Sequence, residues 1–104
     1  MGRDELLRHI KARLTAEFGD RLRGVVLYGS VARRAAGADS DLDLLVLLTG
    51  PVSLWRDLRR IVESLYPLQL ESDRPIHALP ANVDDFEAGD FALYRNAKAE
   101  GVRL

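Results

Sequence analysis

The stretch Gly29-Ser30-Val31-Ala32-Arg33-Arg34-Ala35-Ala36-Gly37-Ala38-Asp39-Ser40-Asp41-Leu42-Asp43 decides how this chain is read. Val25-Val26-Leu27-Tyr28 precedes it and Leu44-Leu45-Val46-Leu47-Leu48 follows it. Both flanks are unbroken runs of aliphatic, β-branched or aromatic residues, the pattern of strands buried on both faces. Between them lie a Gly-Ser pair, an Ala- and Arg-rich segment that predicts a short helix over 31–38, a turn at Asp39-Ser40 and an Asp-x-Asp at the mouth of the second strand.

Each part of this segment has a separate chemical use. Gly29 and Ser30 leave a buried strand and open a helix, so their backbone N–H groups and the Ser30 hydroxyl are placed to hold phosphate oxygens. Glycine lets a phosphate approach the chain closely. Asp41 and Asp43 are two residues apart on a strand, so both carboxylates face the same way and can share a hard cation such as Mg²⁺. Two like charges at the start of an apolar strand are unfavourable unless a metal or an arginine neutralises them. Taken singly, Asp41 reads as a turn residue, Asp43 as a solvated edge position and Gly29-Ser30 as a turn. The joint occurrence between two strands is what points to a site.

Working outward, Leu7, Ile10, Leu14 and Phe18 fall at three- and four-residue spacings and predict an amphipathic helix over Asp4 to Phe18, stopped by Gly19. After Gly50-Pro51, Ser53 is placed to cap a second long helix from Leu54 to Leu65, with Leu54, Leu58, Ile61, Val62 and Leu65 as its apolar stripe and Pro67 as its end. Leu68 and Leu70 then suggest an edge strand, and Pro75 to Leu79 a short strand between prolines. Asn82 is placed to cap a helical turn through Phe86. Asp90 is placed to cap a helix from Phe91 to Ala99, with Gly101 as its stop. Trp55, Phe86, Phe91 and Tyr94 read as core or interface aromatics, Asp84-Asp85 as charge at a helix N-terminus, and His9 as an exposed residue without a role. The element order gives an α/β (α+β) domain with a small mixed sheet flanked by helices.

Composition narrows the function classes. The 104 residues are 47% hydrophobic and 30% charged, a globular balance expected to form one domain over 1–104. The longest apolar run is far short of the roughly 20 residues that cross a bilayer, and the amino terminus lacks the basic-then-apolar order of a signal peptide. With 15 basic and 16 acidic side chains the net charge of −1 predicts no general attraction to nucleic acid. The chain has no cysteine, which excludes disulfides, thiolate metal sites and a cysteine nucleophile. The expectation is a cytoplasmic protein, with an open sheet edge or apolar helix face that favours homo- or hetero-oligomers.

The segment 29–43 resembles the GS-x10-DxD signature of the DNA polymerase beta nucleotidyltransferase superfamily, and within it the minimal nucleotidyltransferases, whose GSxAR element is similar to Gly29-Ser30-Val31-Ala32-Arg33. The segment Phe91 to Val102 looks like a carboxy-terminal element of the same proteins. The resemblance implies a two-metal transfer of AMP from ATP: Asp41 and Asp43 would hold Mg²⁺, Gly29 and Ser30 the β- and γ-phosphates, and Arg33 would add positive charge beside them. It also implies an antitoxin whose acceptor is a tyrosine of a partner HEPN ribonuclease toxin. Members of the superfamily carry a third carboxylate on a neighbouring strand, and here His77, Glu71 and Asp73 are the candidates for that place. Without one, the expectation shifts to a nucleotide-binding module that acts by occluding its partner.

Overall fold

A computed structural model describes residues 1–29 and 41–104. The helix expected over 31–38, and with it Ser30 and Arg33, lies outside the described residues. Helix α1 (Arg3–Phe18) and a 3₁₀ turn (Gly19–Arg21) lead into β1 (Leu22–Tyr28). Strand β2 (Leu42–Leu48) is followed by α2 (Leu54–Glu71), β3 (Ile76–Asn82), α3 (Val83–Ala88), α4 (Ala92–Glu100) and the short β4 (Val102–Arg103).

The strands form one mixed sheet in the order β3-β2-β1-β4. β1 runs antiparallel to both β2 and β4, and β2 runs parallel to β3. The central position of β2 explains its unbroken apolar run: alternate residues must be buried on opposite faces. Leu42, Leu44, Val46 and Leu48 face α1 and α2, together with Val25 and Leu27. Leu45 and Leu47 face the other way, with Val26, Ala81, Phe86 of α3 and Ala97 of α4. Asp41 and Asp43 share the parity of Leu45 and Leu47, so they project on the α3/α4 side, beyond the apolar cover.

α1 buries Leu7, Ile10, Leu14 and Phe18 as the spacing predicts, and adds Leu6. The second helix departs from its expected course. It continues through Pro67 to Glu71, so Leu68 is a buried helix residue and Leu70 an exposed one, not an edge strand. Pro67 removes one N–H from the helix ladder. Both Pro67 and Glu63, whose carbonyl would have accepted that bond, are exposed to water, while Leu65 and Leu68 on either side stay anchored in the core. The buried stripe is Asp57, Ile61, Leu65 and Leu68, and Leu54 and Val62 lie outside it at 53% and 55% exposure.

That rotation is set by a buried ion pair that spacing does not reveal. Asp57 is 1% exposed. Arg21 grips it bidentately, Nη1 to Oδ1 and Nη2 to Oδ2 at 3.1 Å each, and the Ser53 N–H donates to Oδ2 at 3.0 Å. The bonds from Arg21 hold the Asp57 carboxyl below the usual carboxylate range despite its burial. Ser53 caps the helix as expected, accepting from the Arg56 N–H at 3.4 Å.

The carboxy-terminal third is better anchored than its sequence suggests. Asn82 accepts from the N–H groups of Asp84 and Asp85, so the expected cap is present, with Asp84 and Asp85 in the first turn of α3. Asp90 caps nothing: its N–H closes the end of α3 onto the Asp85 carbonyl, and α4 begins one residue later behind Phe91. Gly101 ends α4, and the chain then pairs with β1 through Val102 and Arg103. Of the four aromatics read as core or interface, Phe86 is buried and Tyr94 half-buried, while Phe91 and Trp55 are 59% and 80% exposed.

Candidate functional site

β1 ends, and β2 and β3 begin, at the same edge of the sheet. The Leu42 N–H donates to the Pro75 carbonyl at 2.9 Å, which starts the parallel ladder. That bond fixes the register, so Asp43 lies between Tyr28 of β1 and His77 of β3. Side chains paired across neighbouring strands share a face. Tyr28, Asp43 and His77 therefore form one row, with Asp41 immediately before β2.

The start of β3 is held from the side by α2. The Gln69 amide donates to the Arg74 carbonyl at 2.9 Å and accepts from the Ile76 N–H at 2.7 Å. This tie, absent from any local pattern, sets the strand position of the next residue, His77. His77 Nε2 lies 3.0 Å from Asp41 Oδ2, in an ion pair whose side chains are 57% and 50% exposed.

Gly29 and Asp43, the first and last residues of the motif, meet in space. Gly29 has φ of +80°, and a Cβ built on it would stand 2.6 Å from Asp43 Oδ2. Only glycine combines this backbone with room for the carboxylate. Glycine is expected at this position as the residue a phosphate can approach, and the structure adds that it makes space for Asp43.

Burial is the largest influence on the Asp43 carboxyl and pushes it above the ordinary value; the His77 charge pulls it down and the Asp41 charge pushes it up. Burial, with the neighbouring Asp43 charge, also raises the Tyr28 phenol. Among the described residues, the imidazole of His77 is the group set against the two aspartates. Two carboxylates on one face are the oxygen donors that a hard divalent cation takes, the remaining positions going to water and substrate phosphate, so the residues fit such an ion.

Among the three candidates for the place opposite Asp43, the register puts His77 there. Glu71 is the last residue of α2 and Asp73 lies in the turn before β3, both exposed. Among the described residues, no group of three or more Asp, Glu and His side chains is gathered closely enough to hold a metal ion. Among them too, no helix is long and apolar enough to cross a membrane.

A family model described as a nucleotidyltransferase domain matches residues 7–99. Comparison with curated protein sequences finds no match. Among solved structures, a Sulfolobus solfataricus protein assigned as a nucleotidyltransferase aligns over 95% of this chain and 76% of its own, with 17% identity and a TM-score of 0.65. A chain of a mutant MntA–HpeT toxin–antitoxin complex aligns over 99% of this chain and 71% of its own, with 13% identity and a TM-score of 0.61. A toxin–antitoxin structure with AMP-PNP aligns over 90% and 68%, with 18% identity and a TM-score of 0.56. At these identities the likeness is one of fold.

Proposed function

The chain belongs to the nucleotidyltransferase domain family, and we propose that its 104 residues act as one catalytic domain transferring AMP from ATP to a hydroxyl acceptor. The observation that carries this reading is Asp43 near the start of β2 against the positive-φ Gly29 that follows β1, with Asp41 just before β2 and 3.0 Å from His77. Asp41 and Asp43 hold Mg²⁺, two ions in the full reading. Gly29, Ser30 and Arg33 bind the β- and γ-phosphates. A bound divalent ion supplies charge neutralisation on the attacking and leaving oxygens. Asp43, fixed between β1 and β3, orients the phosphate end of the nucleotide, and Asp41 faces solvent, where an acceptor enters.

The acceptor in this reading is a tyrosine of a HEPN-type toxin, and the protein is a cytoplasmic antitoxin that modifies its partner. Fold likeness to chains from toxin–antitoxin complexes supports this, one of them with AMP-PNP.

A second reading has its own observation. His77 stands opposite Asp43 where a third carboxylate is expected, and this favours a nucleotide-binding module that restrains its partner by occlusion without turnover.

The test is transfer of label from α-labelled ATP to a co-expressed partner in the presence of Mg²⁺. Transfer that is lost in the Asp41→Asn, Asp43→Asn double variant supports the enzyme. Partner inhibition that survives in the double variant, with no labelling in either protein, supports occlusion.

A further inference from the structure

The geometry points to the outer face of α2 as the surface through which two copies of this chain pair, helix against helix, about a two-fold axis. The inference is independent of the nucleotidyl-transfer reading. Trp55, Val62, Tyr66 and Leu70 are 80%, 55%, 58% and 68% exposed. With Arg59 they fall at spacings of four, three, four and four residues, so they form one stripe along α2, about 22 Å long, turned away from the buried side of the helix. A contiguous apolar stripe on the water side of a helix marks an interaction surface.

Three features choose a second copy as the occupant. The stripe reads alike in both directions about the point between Val62 and Glu63: Trp55 and Leu70 lie equally far from it, as do Arg59 and Tyr66. Two helices packed antiparallel about that point set Trp55 against the second copy's Leu70 and the Arg59 guanidinium against the second copy's Tyr66 ring, the self-complementarity that a two-fold interface needs. Charge permits the same arrangement. Arg59 is the ionised member of the stripe, and Glu63 neutralises it, accepting from Arg59 Nε at 3.1 Å, so two identical faces meet without net repulsion. The stripe exposes about 600 Å² per copy, or about 1,200 Å² in a pair, which reaches the lower end of specific stable interfaces.

The neighbouring sheet edge does not suit the other common mode of self-association, strand addition. β3 ends the strand order. Pro75 turns its carbonyl towards Leu42 and backbone groups alternate along a strand, so Ile76, Ala78 and Pro80 present theirs outward. The Ile76 N–H is taken by the Gln69 side chain at 2.7 Å, and Pro80 has no N–H to offer. Side-chain packing along α2 is what remains on this side. α2 covers the sheet face opposite to the one from which Asp43 projects, so pairing through it leaves the candidate site open in both copies.

The test is the mass of the full chain by analytical ultracentrifugation from about 1 to 100 µM, the range in which an interface of this size associates. Wild type should reach twice the chain mass within that range. Val62→Glu adds a carboxylate beside the axis in each copy and should weaken association by at least about a hundredfold. Val62 is 55% exposed, so the variant should keep the wild-type circular dichroism. The chain has no cysteine, so Val62→Cys should oxidise to a linked dimer, whereas Ala16→Cys, exposed on α1, should not. Pairing that survives Val62→Glu, or linkage no faster in Val62→Cys than in Ala16→Cys, would overturn the proposal by placing the contact elsewhere. A wild type that stays monomeric to the top of the range would overturn it too and leave the stripe to a different protein.

Discussion

Replacing Gly29 by alanine tests the link between the two ends of the motif. At φ of +80° an L-residue pays about 1–2 kcal/mol for left-handed backbone. For a domain of about this size that loss corresponds to a melting point lower by roughly 5–15 °C. The new Cβ would also stand 2.6 Å from Asp43 Oδ2. Ordinary contact needs about 3.5 Å, so the carboxylate must move by about 1 Å. A displacement of that size at a reacting centre costs on the order of 10²-fold. Gly50 separates the two effects, because it has φ of +75° with nothing within 4 Å of its added Cβ. Gly50→Ala should lose similar stability in urea unfolding and keep metal-dependent binding of an ATP analogue. Gly29→Ala should lose that binding as well. Equal binding by the two variants, whether retained or lost, would refute the claim that Gly29 makes room for Asp43.

Two further predictions concern stability. Asp57→Asn leaves Arg21 without its bidentate partner and should destabilise the protein by about 2–3 kcal/mol at pH 7, less than a fully buried pair because Arg21 is one-third exposed. The folded-state value of Asp57 is depressed, so its contribution is present above the unfolded value near 3.9 and is lost as pH falls through the folded one. Denaturation midpoints of wild type and variant should therefore converge below about pH 4, and a gap that stays constant to lower pH would count against the pairing. Pro67→Ala restores a donor to the Glu63 carbonyl within α2 and should stabilise the fold by about 1–2 kcal/mol. Urea unfolding checks this; a lower midpoint in the variant would mean that the proline ring is needed where it stands.

Much of the architecture was legible along the chain because it rests on local periodicity. The unbroken runs around the motif marked β1 and β2, and the two-residue period of a strand put Asp41 and Asp43 on one face before any contact was known. Ser53 and Asn82 announced their helices because capping needs only residues three or four apart. Helix length was less legible: a proline normally stops a helix, and α2 passes Pro67 because Leu65 and Leu68 are held by core residues far away in sequence.

What the sequence determined alone is therefore the chemistry available at the edge of the sheet: a glycine–serine turn, two aspartates facing one way and a histidine on a later strand. Tertiary structure decided how these meet. The Leu42–Pro75 bond and the Gln69 side chain choose the register that sets His77 opposite Asp43 rather than Glu71 or Asp73. The Arg21–Asp57 pair, joined across 36 positions, turns α2 so that a carboxylate is buried and Trp55 is left in water. Periodicity relates neighbours a few residues apart, while register and the orientation of one element on another depend on contacts between distant segments, which form only when the chain closes on itself.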